Sequence, residues 1–155
     1  KKIKSLVLGG HGDTMVSMLN HTTVDGIPVL NLVKEGRLKK EILDNIVQRT
    51  KNGGAEIVKF LEKGSAFYAP AAPGVEMAES YLKDLKKQLP CATYLNGEYK
   101  IQDLYVGVPV IIGKKGVEKV IKIDLNKEEE INLEHSVEAV KDLFDAAKKI
   151  DPFLA

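Results

Sequence analysis

Cys91-Ala92-Thr93-Tyr94-Leu95-Asn96-Gly97 reads as a strand that ends in a reversal. Asn-Gly supplies the positive φ angles that a two-residue type I′ hairpin needs, so the returning strand is expected from Glu98 onward. Residues 105–112 form a further, more apolar strand, with Pro109 inside it. A proline has no N–H for a ladder, which implies an edge position or a bulge there. Gly113-Lys114-Lys115-Gly116 turns the chain again, and residues 117–125 pair back, with Ile121, Ile123 and Leu125 alternating against Lys122 and Asp124. The glycine-lysine turn is not a phosphate loop, because no helix follows it with a Lys-Ser or Lys-Thr pair.

Downstream of these strands, Asn126 caps a helix and Glu129 stands where it can answer the cap. Leu133, Val137, Val140, Phe144 and Ala147 place one side of that helix on the sheet, and Asp151-Pro152 closes it. His135 falls off the stripe and faces solvent. Upstream, Leu38, Ile42, Leu43, Ile46 and Val47 have the spacing of an amphipathic helix, which Asn52-Gly53-Gly54 kinks or breaks before residues 55–61 resume it. Arg49, just before the break, is either a solvated helix arginine or one that reaches across a subunit or domain surface. After the small-residue segment 65–72, Pro73 suits a first helical turn. Met77, Ala78, Tyr81, Leu82 and Leu85 then mark a second long helix, expected to be the most buried and to end at Leu89-Pro90. The expected architecture is one α+β domain, with a mainly antiparallel sheet and three long helices.

Residues 3–8 form a short strand, and residues 14–19 and 22–24 are short strands or an irregular extended arm, with Asp25-Gly26 as a turn pair. Between them lies Gly9-Gly10-His11-Gly12-Asp13, an ionisable ring on a stretch built for backbone freedom. An imidazole titrates near neutral pH and can move a proton. The same residues also fit a tight turn with a hydrogen-bonded surface histidine. His21 reads as a polar residue at a strand break.

Composition narrows the classes. The 155 residues are 44% hydrophobic and 29% charged, with a formal net charge of +1, as expected of one soluble globular domain. Lysines interleaved with acids give no basic stripe for nucleic acid, and no run approaches the ~18 apolar residues of a membrane span. The single Cys91 cannot form an internal disulfide; it reads as a core residue and fits a cytoplasmic location. No metal site is expected, since His11, His21 and His135 have neither i, i+4 partners nor a cysteine pair. Ser65 lacks the G-x-S-x-G elbow of a serine hydrolase.

Gly9-Gly10-His11-Gly12-Asp13-Thr14-Met15-Val16 resembles the active-site histidine loop of malate dehydrogenases of the lactate dehydrogenase-like type. The likeness continues in order through Thr23-Val24-Asp25-Gly26-Ile27-Pro28, Arg49-Thr50-Lys51-Asn52-Gly53-Gly54-Ala55-Glu56-Ile57-Val58, Lys63-Gly64-Ser65-Ala66-Phe67-Tyr68-Ala69-Pro70-Ala71-Ala72 and Tyr105-Val106-Gly107-Val108-Pro109-Val110. It covers the carboxyl-terminal half of such an enzyme. The resemblance implies a single substrate and catalytic domain over residues 1–155, without the amino-terminal NAD-binding Rossmann domain and its G-x-G-x-x-G turn. It implies malate–oxaloacetate interconversion by hydride transfer with NAD, and His11 as the acid-base residue. Gly10, Ser65, Ala66 and Pro70 match wall positions beside substrate and nicotinamide, while Gly10 and Gly12 also shape the bend. The carboxylate that orients the histidine and the arginines that grip the substrate belong to the other half in this family, so Asp13 is not given that role. Malate is favoured over lactate. An L-lactate dehydrogenase domain and a non-catalytic oligomerisation module are the alternatives. The expected partners are the chain's own amino-terminal domain and further copies in a homo-oligomer, dimer or tetramer. Alone, the chain is expected to be inactive, with exposed apolar surface where its other half docks.

Overall fold

The computed structural model describes residues 2–154, so what was read for Lys1 lies outside the described residues. Short strands β1 (Ile3–Lys4), β2 (Val7–Leu8), β3 (Val16–Ser17), β4 (Thr23–Val24) and β5 (Ile27–Pro28) come first. Helices α1 (Val29–Lys34), α2 (Lys40–Lys51), α3 (Gly53–Leu61) and α4 (Tyr68–Leu82) follow. The chain ends with β6 (Lys87–Asn96), β7 (Gln102–Gly113), β8 (Gly116–Val120) and α5 (Lys127–Ile150). The strands form three antiparallel sheets, β1-β4-β5, β2-β3 and β6-β7-β8. This is the α+β, mainly antiparallel architecture expected: α2, α4 and α5 are the three long helices, α3 continues α2 beyond the glycine break, and the short α1 is an addition.

The core sits where α5 covers the main sheet. Leu104, Val106, Val108, Val110 and Ile112 alternate along β7 and meet Cys91 and Leu95 of β6 and Leu133 and Val137 of α5. Burial pushes the Cys91 thiol above its usual range, which suits a packing residue and not a nucleophile. Leu8, Val16 and Met18 join the core from the β2–β3 hairpin and the residue after it. The capping box of α5 forms as expected: Glu129 N–H donates to Asn126 Oδ1 at 2.9 Å, and Asn126 N–H donates to Glu129 Oε2 at 3.0 Å. Asn20 Nδ2 donates to the other oxygen of Glu129, at 2.9 Å, which ties the helix start to the segment after β3. Cover then runs out along the helix: Val140 and Ala147 are half-buried and Phe144 is exposed.

Several local expectations are corrected. Asn96-Gly97 is not a two-residue turn: Asn96 pairs with Gln102, and residues 97–101 form a longer loop closed by Gly97 N–H on the Ile101 carbonyl at 2.8 Å. The two-residue turn with φ positive at both central positions lies at Asp25-Gly26, between Val24 and its partner Ile27. Pro109 lies in the central strand and opposes Pro90, so neither proline removes a donor from the β6–β7 ladder. On the β8 side Pro109 accepts from Ile121 N–H at 2.8 Å but has no N–H to return. Tyr99 Oη fills that place: it donates to the Ile121 carbonyl at 2.6 Å and accepts from Ile123 N–H at 3.1 Å. The bend that brings Tyr99 there is why the hairpin loop is long, with Tyr99 and Lys100 both at positive φ. Strand pairing consequently ends at Val120 and not at Leu125.

Residues 3–8 divide into β1 and β2, which join different sheets. Helix α1, not foreseen, ends in a Schellman motif: Gly36, at φ +70°, donates to the Val33 carbonyl and Arg37 donates to that of Leu32. Helix α4 starts at Tyr68, so Pro73 lies inside it and not in its first turn. It stops at Leu82, well before Leu89-Pro90, in a second motif of the same kind: Asp84, at φ +50°, donates to Tyr81, and Leu85 donates to Ser80. No glycine marked that stop. Nor is α4 the most buried helix: Ser80 alone is buried, while Met77, Tyr81 and Leu82 are exposed.

A candidate active site at the tip of the β2–β3 hairpin

Leu8 of β2 pairs with Val16 of β3, and the residues between them form the hairpin tip that carries His11. Its base is pinned on two sides. Gly9 and Gly107 of β7 exchange both main-chain hydrogen bonds, each at 2.9 Å, which hangs the tip from the central strand of the core sheet. Gly10 N–H donates to Ser136 Oγ of α5 at 2.8 Å. Both anchors need glycine. Gly9 is buried at φ +91°, and a Cβ there would strike Ser136 Oγ. A Cβ on Gly107 would stand 2.6 Å from the Gly9 carbonyl oxygen. Beyond the anchors, His11 is exposed, Gly12 turns at φ +85° in open space, and Met15 N–H closes the turn on the Gly12 carbonyl at 3.0 Å. The imidazole is thus held out from a fixed base, with its face open to whatever approaches.

Beside the tip lies a cleft of about 410 Å³ lined by Asp13, Thr14, Val47, Lys51, Glu128 and His135, among others. Asp13 is exposed at its edge, and His135 is exposed as expected. His21 lies elsewhere, with Nε2 3.0 Å from the Asp124 carbonyl oxygen. Arg49 is the solvated helix arginine, the first of the two expectations, and it also grips Glu56 in a two-pronged pair, at 2.9 and 2.7 Å, that straps α2 to α3 across the glycine break. The guanidinium hydrogen bonds hold the Glu56 carboxyl below its usual range.

Ser65, Ala66 and Pro70 occupy the approach to α4 and its first turn. Ser65 Oγ accepts from Phe67 N–H at 3.3 Å, and Phe67 takes a φ of +38°, a costly angle for a bulky side chain. Among the described residues no hydrogen bond joins this segment to the His11 tip; both connect to β7, the tip at Gly107 and α4 through Ser80, whose hydroxyl donates to the Ile112 carbonyl at 2.7 Å. Gly10, by contrast, is part of the tip's own anchorage. Gly107 and Ser136 were overlooked in the sequence, though each carried a signal. A glycine inside a strand marks close backbone approach, and Ser136 stands on the apolar stripe between Leu133 and Val140.

Residues 1–150 match the family model for the lactate/malate dehydrogenase α/β C-terminal domain. The chain belongs to that family. It is 62% identical over its whole length to a malate dehydrogenase of Pelagibacter ubique (strain HTCC1062), of which it covers 48%. Among solved structures it is similar to a Cryptosporidium parvum malate dehydrogenase, with a TM-score of 0.91 and 43% identity over 95% of this chain and 47% of the other. It is equally similar to an Eimeria maxima lactate dehydrogenase solved with NADH and oxamate, at a TM-score of 0.91 and 41% identity over 97% of this chain and 47% of the other. The domain therefore spans about half the length of these relatives. None of its described strand-to-helix junctions offers a glycine-rich turn for a pyrophosphate. β5 enters α1 through Pro28, which has no N–H to give. These residues do not fit the seat of a dinucleotide.

Proposed function

We propose that this chain is the catalytic half of an NAD-dependent malate dehydrogenase, inactive until an amino-terminal domain holding NAD docks beside His11. The hydride chemistry belongs to NAD and the half that binds it. What this chain supplies is the proton: a neutral His11 takes it from the hydroxyl of malate, and a protonated His11 returns it to oxaloacetate. The single observation that carries this reading is an exposed imidazole on a rigidly anchored tip, in a chain so close to a malate dehydrogenase. Ser65, Ala66 and Pro70 serve as wall residues. The exposed apolar side chains of α3 and α4, with Phe60 and Leu82 more than three-quarters exposed, suit the docking half or further copies in a dimer or tetramer. The chain works in the cytoplasm on this proposal.

Co-expression with an amino-terminal half is the test. Recovered malate oxidation should fall about 10²–10⁴-fold in His11→Asn; recovery indifferent to that change defeats the reading. The equal likeness to a lactate dehydrogenase favours a second reading, in which pyruvate is the better substrate. Comparing oxaloacetate with pyruvate in the recovered enzyme decides between them.

A further inference from the structure

The bond between α5 and the His11 tip is not an ordinary packing contact. Ser136 is 1% exposed, and its hydroxyl oxygen is spent on the main chain of the residue just before His11. With Gly9 locked to Gly107 through both its N–H and its C=O, three consecutive main-chain polar groups ahead of the imidazole are fixed, one of them by a side chain. After His11, Asp13 and Thr14 are exposed, and nothing lies within 4 Å of a Cβ built on Gly12. The position of the His11 Cα is therefore set from its amino-terminal side. The Ser136 anchor can be removed by a truncation that adds no atom to the hairpin or to β7, whereas the other anchor consists of main-chain groups alone.

We infer that Ser136 is the positioning residue for His11, with α5 as the strut that holds the imidazole at its working height. This rests on His11 being the acid-base residue. A small hydroxyl side chain is required because Gly9 leaves room for little more: a Cβ built on it would strike Ser136 Oγ, while one on Gly10 would press on Thr14 Oγ1 and Val140. Without the acceptor, Gly10 N–H loses its partner and the tip can pivot on the Gly9–Gly107 bridge. Since a misplacement of about 1 Å costs on the order of 100-fold in rate, the loss should appear in turnover more than in substrate affinity.

The test uses the enzyme recovered by co-expression of the two halves. Ser136→Ala should lower kcat about 10- to 100-fold with KM for malate changed less than about threefold, and should speed hydrogen exchange at the Gly10 amide. In a His11→Asn background the same change should cost less than about twofold, because there is no imidazole left to place. An equal loss in both backgrounds, or a kcat within about twofold of the parent, overturns the inference while leaving the role of His11 intact. If Ser136→Ala does not fold, Ser136→Cys keeps the shape with a weaker acceptor and should give an intermediate loss confined to the same background. If His11→Asn is fully active, the functional reading itself fails, and unchanged exchange at Gly10 then also removes Ser136 as an anchor.

Discussion

Helices α4 and α5 carry similar apolar stripes and meet opposite fates. On α5, Leu133 and Val137 lie in the core against β7; on α4, Met77, Tyr81 and Leu82 stand in the open, and the helix reaches the sheet through polar groups, the Ser80 hydroxyl on Ile112 and Glu76 and Glu79 on Lys87. The contrast extends to whole regions. The main sheet with α5 and the β2–β3 hairpin forms a closed core, whereas α2 buries Leu43 alone and α3 buries nothing. An amphipathic period reports that a helix has one apolar side. Whether the same chain covers that side is a separate matter, and His11 is carried by the region that is covered.

The largest effect that could break this contrast is a matched pair of truncations. Leu133→Ala should cost about 2–5 kcal/mol through lost burial and a cavity, whereas Leu82→Ala should stay within about 0.5 kcal/mol in the unassembled chain. Thermal melts of both variants check this, and a comparable drop for Leu82→Ala would mean that α4 is covered after all. In the assembled enzyme the same substitution should weaken association.

A smaller effect is expected at the proline of the central strand. Tyr99→Phe leaves the Ile121 carbonyl and Ile123 N–H without their shared partner and should cost about 1–2 kcal/mol. Adding Pro109→Ala restores a ladder N–H facing Ile121 and should recover part of that loss. If the double variant is no better than Tyr99→Phe, the hydroxyl is not standing in for the missing donor.

The smallest effect belongs to the seam between the two regions, where Lys86 after α4 donates to Glu118 of β8 at 2.8 Å. That hydrogen bond is the main reason the Glu118 carboxyl is held below its usual range. Because the folded value is the lower one, the stabilisation is present above the ordinary carboxylate range and is lost as pH falls through the folded value. Glu118→Gln should therefore lower Tm slightly at neutral pH, and the difference from the parent should vanish in acid. A difference that persists in acid would point to packing and not charge.

Much of this was legible in the residues. The capping box at Asn126, the break at Asn52-Gly53, the apolar strand over residues 105–112 and the glycine tip around His11 follow from local geometry, and each formed. The helix stop at Asp84 was not legible, because an aspartate took the left-handed position usually given to glycine. Nor was the Asn96-Gly97 loop, where a local turn preference yielded to the bond Tyr99 makes with a segment more than twenty residues away.

By itself the sequence determined the periods, the caps and the place where an imidazole would sit on free backbone, since these depend on dihedral preferences and neighbours a few residues apart. Tertiary structure alone decided which apolar faces are covered, how Pro109 is tolerated, and that the base of the His11 tip rests on a serine 126 residues beyond Gly10. Such pairings cannot be read locally, because their free energy exists only once the sheet has brought distant segments within hydrogen-bonding distance.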